Sequence, residues 1–402
     1  MRRVAVTGLG VVSALGIGSD AHFKGLAEGQ NGIRPLEMRD VDRLMIKIGA
    51  QSSFKQEDYF GRQEIVLFDR VTQFALIAAQ EAFDQSGLEI TEELGLRTAT
   101  IIATAMGGMH TLDDNYRQVY QEQKNRVHPF VVPRLMANAP VSQVSMKFGL
   151  KGPAYSVATA CASSNHAMGQ AFNLIRHGQC DVAVTGGTEA MLCFGGVKAW
   201  EGLRVMSKDG CRPFSKTRNG MVLGEGCAIL ILEEWERAKS RSAPILAEIC
   251  GSGVSADATD IVAPDVNGAA RAMALALSDA GMNADEVDYI NAHGTATAMN
   301  DRTEAAAIRR SLGAHAENIM VSSTKSMHGH AIGAAGALEA AAVLMTLGDG
   351  PVPPTINYEE PDPDVALDVV PNEARDASVD AALSNAFAFG GLNAVLAFRR
   401  AG

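Results

Sequence analysis

The chain has 402 residues, of which 47% are hydrophobic and 20% are charged, a composition typical of a globular protein with a large buried core. Its formal net charge of −11 at pH 7 argues against nucleic acid or an anionic membrane surface as a primary partner. The six cysteines show neither Cys-x-x-Cys pairs nor metal-ligand spacing, so we expect no disulfide and no metal.

Hydropathy along the chain gives no sign of targeting or membrane insertion. The N-terminus enters a strand-like run directly, and no segment reaches the roughly 18 apolar residues that a spanning helix needs. We therefore predict a cytoplasmic protein that does not enter the membrane.

Short β-rich runs alternate with helices of small residues, which predicts an α/β protein whose central strands are covered by helices on both faces. Strands are predicted at 3–7, 98–103, 181–185, 228–233, 245–252, 287–291, 320–323, 381–385 and 394–399. Helices are predicted at 70–85, 140–148, 162–177, 269–280, 301–312 and 332–347. The two halves echo each other around a break near 239–244, so we predict two duplicated halves, 1–243 and 244–402.

Cys161 lies in the segment 158–164 (Ala-Thr-Ala-Cys-Ala-Ser-Ser), at the start of a predicted helix. A helix N-terminus carries partial positive charge and free N–H groups, which lower the pKa of a thiol and stabilise a developing oxyanion. A single cysteine among small residues is more often a packing residue. The thiol alone therefore does not identify a nucleophile.

Two histidine segments strengthen the case for a reactive site. His293 lies in 291–297 (Asn-Ala-His-Gly-Thr-Ala-Thr), at the end of a predicted strand. His330 closes 323–330 (Ser-Thr-Lys-Ser-Met-His-Gly-His), just before a predicted helix. One cysteine and two histidines, each at a strand end or a helix start, are harder to explain as packing residues.

Other enzyme classes fit the sequence poorly. The segment 8–13 (Gly-Leu-Gly-Val-Val-Ser) imitates a dinucleotide loop, but Ser13 stands where the third glycine is needed and no acidic residue closes a second strand. The chain has no Gly-x-Ser-x-Gly elbow of a serine hydrolase and no P-loop. We therefore expect no organic cofactor.

From end to end, the chain resembles a β-ketoacyl-[acyl-carrier-protein] synthase, an elongating condensing enzyme with a Cys-His-His site on the thiolase fold. Besides the cysteine and histidine segments, the resemblance rests on 3–13 (Arg-Val-Ala-Val-Thr-Gly-Leu-Gly-Val-Val-Ser), 211–214 (Cys-Arg-Pro-Phe), 222–226 (Val-Leu-Gly-Glu-Gly) and 389–393 (Phe-Gly-Gly-Leu-Asn). His330 after Lys325, with no cysteine beyond Cys250, favours the elongating class over chain-initiating synthases and thiolases. The resemblance implies two duplicated βαβ-type halves in a five-layered α-β-α-β-α core.

The resemblance also implies catalytic roles. Cys161 accepts the acyl chain, and the amides of Cys161 and Phe389 form the oxyanion hole. His293 and His330 donate hydrogen bonds to the enolate left by malonyl decarboxylation. Lys325 is the fourth catalytic residue.

Further residues are implied to support the site and to shape its tunnel. Glu339 is expected to pair with Lys325 and orient the histidine, and an ion pair of purely structural value is the alternative. The predicted tunnel residues, any of which could instead belong to the core, are Leu112, Phe130, Val132, Phe389 and Leu392.

As partners, the resemblance implies a homodimer and an acyl carrier protein that bears acyl and malonyl thioesters. Such carriers are acidic in the resembled systems, so docking needs a local basic patch on this acidic chain. The candidate cations are Arg62, Arg70, Lys124, Arg126, Arg134 and Lys151.

The chain departs from the resembled pattern around its gate. The closing loop usually reads Gly-Phe-Gly-Gly-Thr-Asn, whereas Ala388 and Leu392 replace its first glycine and its threonine. In the facing segment Asp260 and Val262 replace histidine and threonine, and His328 replaces the threonine before Gly329-His330.

These departures indicate a specialised acyl substrate, and the middle of the chain also resembles condensing enzymes of nodulation-signal lipid synthesis. Three interpretations stay open at this point. The chain is a fatty-acid elongating synthase, a specialised lipid or polyketide condensing enzyme, or a subunit that is active only beside a partner.

Overall fold

The computed structural model describes all residues from Met1 to Gly402. Its strands are β1 (Val4–Ser13), β2 (Gly16–Ile17), β3 (Arg34–Pro35), β4 (Ile48–Gly49), β5 (Thr98–Ala103), β6 (Ala154–Val157), β7 (Val182–Glu189), β8 (Gly226–Glu234), β9 (Ala247–Ala256), β10 (Tyr289–Asn291), β11 (Met320–Ser322), β12 (Ala381–Ala388) and β13 (Leu392–Arg400). Two short pairs, β2 with β1 and β3 with β4, lie outside the main sheet order.

The α-helices are α1 (Ser19–Ala27), α2 (Arg62–Ile65), α3 (Arg70–Ser86), α4 (Glu92–Leu96), α5 (Met109–Tyr116), α6 (Val131–Leu135), α7 (Ala139–Phe148), α8 (Ser163–Arg176), α9 (Phe194–Glu201), α10 (Trp235–Ser240), α11 (Val266–Ala280), α12 (Ala298–Leu312), α13 (Lys325–His328) and α14 (Ala335–Leu347). Short 3₁₀ turns occur at Val41–Arg43, Gln56–Asp58, Ala284–Glu286, Gly313–Glu317 and Ile332–Ala334, and a π turn at Arg117–Gln121. None of the helices is both long and apolar enough to cross a lipid bilayer.

The two halves of the chain repeat one strand order. In the first half the neighbours run β6-β5-β7-β8-β1, and in the second they run β11-β10-β12-β13-β9. Numbered along its own half, each set therefore reads 3-2-4-5-1. In both sets the first three neighbours are parallel and the last two join antiparallel. The identical order shows an internal duplication.

Helices separate and cover the two sets of strands. Helix α3 packs on β1 and β8, and α11 packs on β9 and β13, so each covers an outer face. Helices α8 and α14 each contact strands of both halves and fill the space between them. A short antiparallel pairing of β1 with β9 joins the two sets at one edge. The layers therefore follow the predicted α-β-α-β-α order.

Burial explains the composition of the central helices. Every residue of α14 is buried, and its sequence is almost entirely alanine, glycine and aliphatic residues. A helix that is buried on all sides has no polar face to offer water, and its small side chains let two layers of strands approach. The helix therefore has almost no amphipathic period.

Most predicted elements are present, with different bounds. The strand predicted at 98–103 matches β5, whereas β1 and β9 run several residues beyond their predicted ends. Strand β6 was not predicted, because two of its four residues are exposed and its pattern does not alternate. Helix α9 was also missed. The boundary between residues 243 and 244 stays a prediction.

The glycines of the imitation dinucleotide loop have a packing role. Gly8 and Gly10 lie inside β1, directly beneath α3. A Cβ atom at Gly8 would overlap the carbonyl oxygen of Ala82, and one at Gly10 would overlap that of Ala78. The two glycines therefore allow close contact between strand and helix, and no phosphate is needed to explain them.

We predict that Gly10→Ala destabilises the protein by about 1–3 kcal/mol, because the new methyl group must displace helix backbone rather than a flexible side chain. Urea unfolding followed by circular dichroism measures the change. Gly61→Ala is the matched control, since Gly61 has φ −69° and its nearest neighbour would lie 3.5 Å from the new Cβ. Equal unfolding midpoints for the two variants would contradict the prediction.

Candidate active site

Four predicted site residues converge at the carboxyl ends of strands. Cys161 follows β6, His293 follows β10, His330 follows β11 beyond the short α13, and Phe389 follows β12. His293, His330 and Phe389 follow the parallel strands β10, β11 and β12, whose carboxyl ends lie at one edge, where α/β proteins usually place their sites, and Cys161 joins them from the other half. All four line one cavity of about 300 Å³. The ligand-type atoms of the cysteine and two histidines all lie within 4.8 Å of one another.

A tight turn presents Cys161 between β6 and α8. Ala160 has φ 47°, an unusual conformation for a residue with a side chain. Ser163 holds the turn, because its hydroxyl donates to the Ala160 carbonyl at 2.6 Å and accepts the Thr159 N–H at 2.8 Å. The thiol therefore lies just before the N-terminus of α8, as the sequence predicts.

Burial dominates the acidity of the thiol. It raises the pKa of Cys161 to about 11, although the charge of Lys325 and the backbone N–H groups of Phe389 and Cys161 act in the opposite direction. The prediction of a lowered pKa is therefore wrong, because the loss of hydration outweighs the helix terminus and the nearby ammonium. In the free enzyme the thiol is protonated at neutral pH.

Hydrogen bonds fix the tautomers of both histidines. The Lys325 ammonium has no lone pair, so at 3.4 Å it donates to Nδ1 of His293. The Ile332 backbone N–H donates to Nδ1 of His330 at 3.2 Å. Burial, then the charge of Lys325, keeps the pKa of each ring well below its usual range. Both rings are therefore neutral with the proton on Nε2.

The tautomers leave two N–H donors available near the thiol. Nε2 of His330 is buried and has no hydrogen-bond partner. The two rings lie edge to face with centroids 5.4 Å apart. A group that develops negative charge in this cavity would therefore meet donors that are already desolvated.

A fully buried ion pair stands behind the histidines. The ammonium of Lys325, at the start of α13, donates to Glu339 in the middle of α14, and neither side chain is exposed. Buried charges are tolerated only when they are paired. The predicted pairing is present, and its role in orienting the site stays a prediction.

Two buried carboxylates were not predicted. Glu304 accepts the backbone N–H groups of His293 and Gly294 at 2.8 and 2.7 Å. Glu189 accepts from the Ala105 and Gly333 amides at 2.8 and 3.1 Å, and so ties the turn after His330 to the end of β5. Glu304 lies in a predicted helix and Glu189 beyond the end of a predicted strand, and neither position gives a local signal of burial, so only the fold reveals them.

Phe389 occupies the turn between β12 and β13. Its ring stacks on Trp200 with centroids 6.0 Å apart, a contact that was not predicted. The next residue, Gly390, donates its N–H to the Ile261 carbonyl at 2.8 Å, and Asn393 donates to Asp257 at 2.6 Å. The gate loop is therefore held by one aromatic contact and a few hydrogen bonds to the facing segment.

The other predicted tunnel residues do not line this cavity. Leu112 is half-buried on α5, while Phe130 and Val132 are exposed by 46% and 59%. Leu392 is half-buried and packs against the apolar cluster that contains Cys161. Of the proposed set only Phe389 reaches the cavity, so a tunnel through the others stays a prediction.

The cysteine and two histidines are also the kind of ligands that zinc accepts. The ammonium of Lys325, 3.4 Å from His293, opposes a bound cation. Nothing in the donor set requires a metal, and its expected absence stays a prediction.

Comparisons with known proteins fit this geometry. The models of the β-ketoacyl synthase N-terminal and C-terminal domains match residues 1–238 and 246–359. The chain belongs to the β-ketoacyl synthase family. Nodulation protein E of Rhizobium sp. strain N33 is 46% identical over 399 residues, which cover 99% of each protein. The 3-oxoacyl-[acyl-carrier-protein] synthase 2 of Synechocystis is 41% identical over 408 residues, which cover 99% of this chain and 98% of that protein.

Solved structures confirm the expected thiolase-like fold. The ishigamide ketosynthase/chain length factor matches with a TM-score of 0.95 and 37% identity, covering 100% of both chains. A β-ketoacyl synthase from Burkholderia phymatum matches with a TM-score of 0.92 and 33% identity, again over 100% of both chains. The β-ketoacyl synthase is a condensing acyltransferase, as the resemblance implied.

We predict that Leu392→Thr with Ala388→Gly changes the preference for acyl length or the rate of acylation more than it changes malonyl decarboxylation. Both positions flank the gate, so added hydroxyl and backbone freedom alter how Phe389 moves. Chain-length profiles measured with graded acyl carriers test this. Leu275→Thr, an exposed position on α11, is the control. Superimposed profiles despite a changed melting temperature would show that the substitutions only repack the loop.

Proposed function

We propose that this β-ketoacyl synthase joins an acyl group held on Cys161 to malonyl carried on an acyl carrier protein, with loss of carbon dioxide. The observation that carries the proposal is the convergence of one thiol with two neutral imidazoles that each offer an Nε2–H. Two N–H donors beside a nucleophile are useful when negative charge develops on a neighbouring substrate oxygen, as it does in this reaction.

The first half-reaction transfers the acyl group. The sulfur of Cys161 forms a new thioester with the acyl carbonyl, and the carrier thiol leaves with the proton. The tetrahedral intermediate carries an oxyanion, which the amides of Cys161 and Phe389 would each stabilise by roughly 3 kcal/mol. Both amides already lie close enough to the sulfur to affect its acidity.

The second half-reaction forms the carbon–carbon bond. Malonyl thioester loses carbon dioxide and leaves an enolate, whose oxygen accepts hydrogen bonds from His293 and His330. The enolate carbon then attacks the acyl thioester and releases the thiolate of Cys161. Decarboxylation makes the sequence favourable without ATP or a redox cofactor.

The polar residues that line the cavity suit a long, polar arm of a carrier protein. Thr295 and Thr297 line it, with their hydroxyl oxygens 2.9 Å apart. Arg204 lies at the mouth, exposed and without an ion pair. Hydroxyls and a free guanidinium suit amides and a phosphate on such an arm, and the positive charge suits an acidic carrier.

Among the predicted docking cations, Arg70 is unsuitable. Its guanidinium is largely buried against Glu225, with contacts down to 2.6 Å, so that prediction is wrong. Lys124 and Lys151 lie beside Glu122 and Glu92. Arg62, Arg126 and Arg134 are not in ion pairs, and stay candidates together with Arg204.

Two acyl classes are candidates for the substrate. General fatty-acid elongation is one, supported by the match to 3-oxoacyl-[acyl-carrier-protein] synthase 2. A specialised lipid or polyketide is the other, favoured by the departures at the gate and by the higher identity to nodulation protein E. The elongation profile of the purified enzyme separates the two.

An exposed face supports the predicted homodimer. Strand β6 is an edge strand with Tyr155 exposed, and Phe130, Val132 and Met136 are exposed nearby in the chain. Exposed edge strands and apolar side chains usually mark protein contacts. A second copy would cover this face, and a different partner subunit is the alternative that light scattering of the purified chain tests. The cytoplasmic location stays a prediction.

We predict that Cys161→Ala abolishes acyl transfer and leaves the fold intact. Incubation of the wild type with an acyl donor, followed by peptide mass spectrometry, should place a covalent acyl group on Cys161. The buried cysteines Cys193 and Cys227 serve as internal controls. An adduct on another residue, or full elongation by the variant, would overturn the proposed nucleophile.

We predict that His293→Ala and His330→Ala each lower malonyl decarboxylation by ~10²-fold or more, the effect expected for the loss of a catalytic donor. Acylation of Cys161 should fall less, at least in His293→Ala, because the enolate forms only in the second half-reaction. Release of carbon dioxide from malonyl carrier measures the step. Normal decarboxylation with failed acylation in both variants would reverse the assigned roles.

A further inference from the structure

His328 is a buried histidine that the proposed reaction does not use. It stands where the resembled pattern carries threonine, two residues before His330, and its side chain is fully buried. It does not line the active-site cavity. A histidine in such a position must have its polar atoms satisfied by the surrounding protein.

Both ring nitrogens of His328 are hydrogen-bonded. Nδ1 lies 2.9 Å from the carbonyl oxygen of Gly329, which can only accept, so Nδ1 carries the proton. Nε2 of the neutral ring then accepts from the hydroxyl of Thr324 at 3.0 Å. This tautomer is the reverse of the one in His330.

The two partners belong to backbone that carries catalytic candidates. Thr324 immediately precedes Lys325, and the Gly329 carbonyl belongs to the peptide unit that joins Gly329 to His330. One imidazole therefore spans both ends of α13. A threonine at position 328 would be too short to contact both Thr324 and the Gly329 carbonyl, as the imidazole does.

The backbone around this bridge has little freedom to adjust. Gly329 has φ 65°, and a Cβ there would come within 2.8 Å of the Ala50 Cβ. His330 donates its N–H to the Val222 carbonyl at 2.8 Å and accepts from Gly224 at 2.9 Å. A rotation of the Gly329–His330 peptide would therefore change the direction in which Nε2 of His330 points.

The ring of His22 packs against the ring of His328. The ring centroids are 6.0 Å apart, and Nδ1 of His22 lies 2.9 Å from the hydroxyl of Ser13. His22 makes no hydrogen bond to α13 or to the loop after it. Burial lowers the pKa of His22 to about 4 and keeps the pKa of His328 well below its usual range, with a charge on His22 and then that of Lys325 acting in the same direction on His328.

We propose that His328 is a positioning residue, which fixes the directions of the Lys325 ammonium and the His330 imidazole by bridging Thr324 and the Gly329 carbonyl. The proposal rests on the proposed function, because it concerns the donors that the enolate uses. It assigns His328 to the decarboxylation half-reaction and leaves acylation of Cys161 largely independent of it.

Variants of His328 that keep neither or one of its two hydrogen bonds test the bridge. His328→Leu fills similar space without either hydrogen bond. His328→Asn keeps a donor in the place of Nδ1, and His328→Gln keeps an acceptor in the place of Nε2. We expect decarboxylation, divided by the rate of Cys161 acylation, to fall about tenfold or more in His328→Leu, because small errors of orientation are costly in catalysis. In His328→Asn the ratio should be largely retained, and in His328→Gln it should be intermediate.

His22→Leu is the matched control, since it removes a histidine packed against His328 without removing either hydrogen bond of the bridge. It should lower the melting temperature while leaving the ratio of the two rates at the wild-type value. An equal ratio in all the variants, or the same fall in His22→Leu as in His328→Leu, would show that His328 only contributes to packing. If His328→Leu does not fold, the contrast between Asn and Gln decides, and equal ratios in these two overturn the proposal.

The wild type separates this inference from the proposed function. A wild-type protein that does not release carbon dioxide from malonyl carrier contradicts the proposed function itself. An active wild type with unchanged ratios in the His328 variants contradicts only the bridge.

Discussion

The layer formed by α8 and α14 is the constraint on which the rest of the structure depends. Both helices are packed between two sets of strands, and α14 has no exposed residue at all. Its only charged side chain, Glu339, therefore requires a buried partner, and Lys325 supplies it. That lysine reaches His293, so the demand of the core for charge balance also sets the tautomer of a histidine in the cavity.

The same burial decides the charge of every group around the thiol. Cys161 keeps its proton at neutral pH, both histidines are neutral, and the lysine is paired. Apart from the exposed Arg204 in its lining, the resting cavity therefore holds no uncompensated charge. An oxyanion or enolate formed beside the thiol would introduce an uncompensated negative charge. Hydrogen bonds to that charge act in a medium where they are much stronger than in water. The low dielectric that keeps the free thiol protonated thus favours the later steps.

The sequence was most informative where chemistry is local. Cys161, His293 and His330 stand at strand ends or helix starts, which marks them as more than packing residues, and the resemblance to condensing enzymes implied that they share one site. Glu304 and Trp200 could not be found this way, because their roles come from contacts with residues that are distant in sequence or hidden by helix packing. The predicted acidity of the thiol failed for a related reason, since a helix terminus can be read from a pattern and burial cannot.

Duplication explains how one fold supplies both the nucleophile and its helpers. Cys161 and His330 occupy the same connection in the two halves, between the third strand and the central helix, and both line one cavity. Among the departures from the resembled pattern, those at Ala388, Leu392 and His328 lie around this machinery and add no charge to it. Such positions can alter which acyl chain enters, or how firmly a donor is held, without disturbing the charge balance that the buried layer imposes. Variation in substrate is therefore expected at the gate and behind the histidines, and the thiol and its donors are expected to stay fixed.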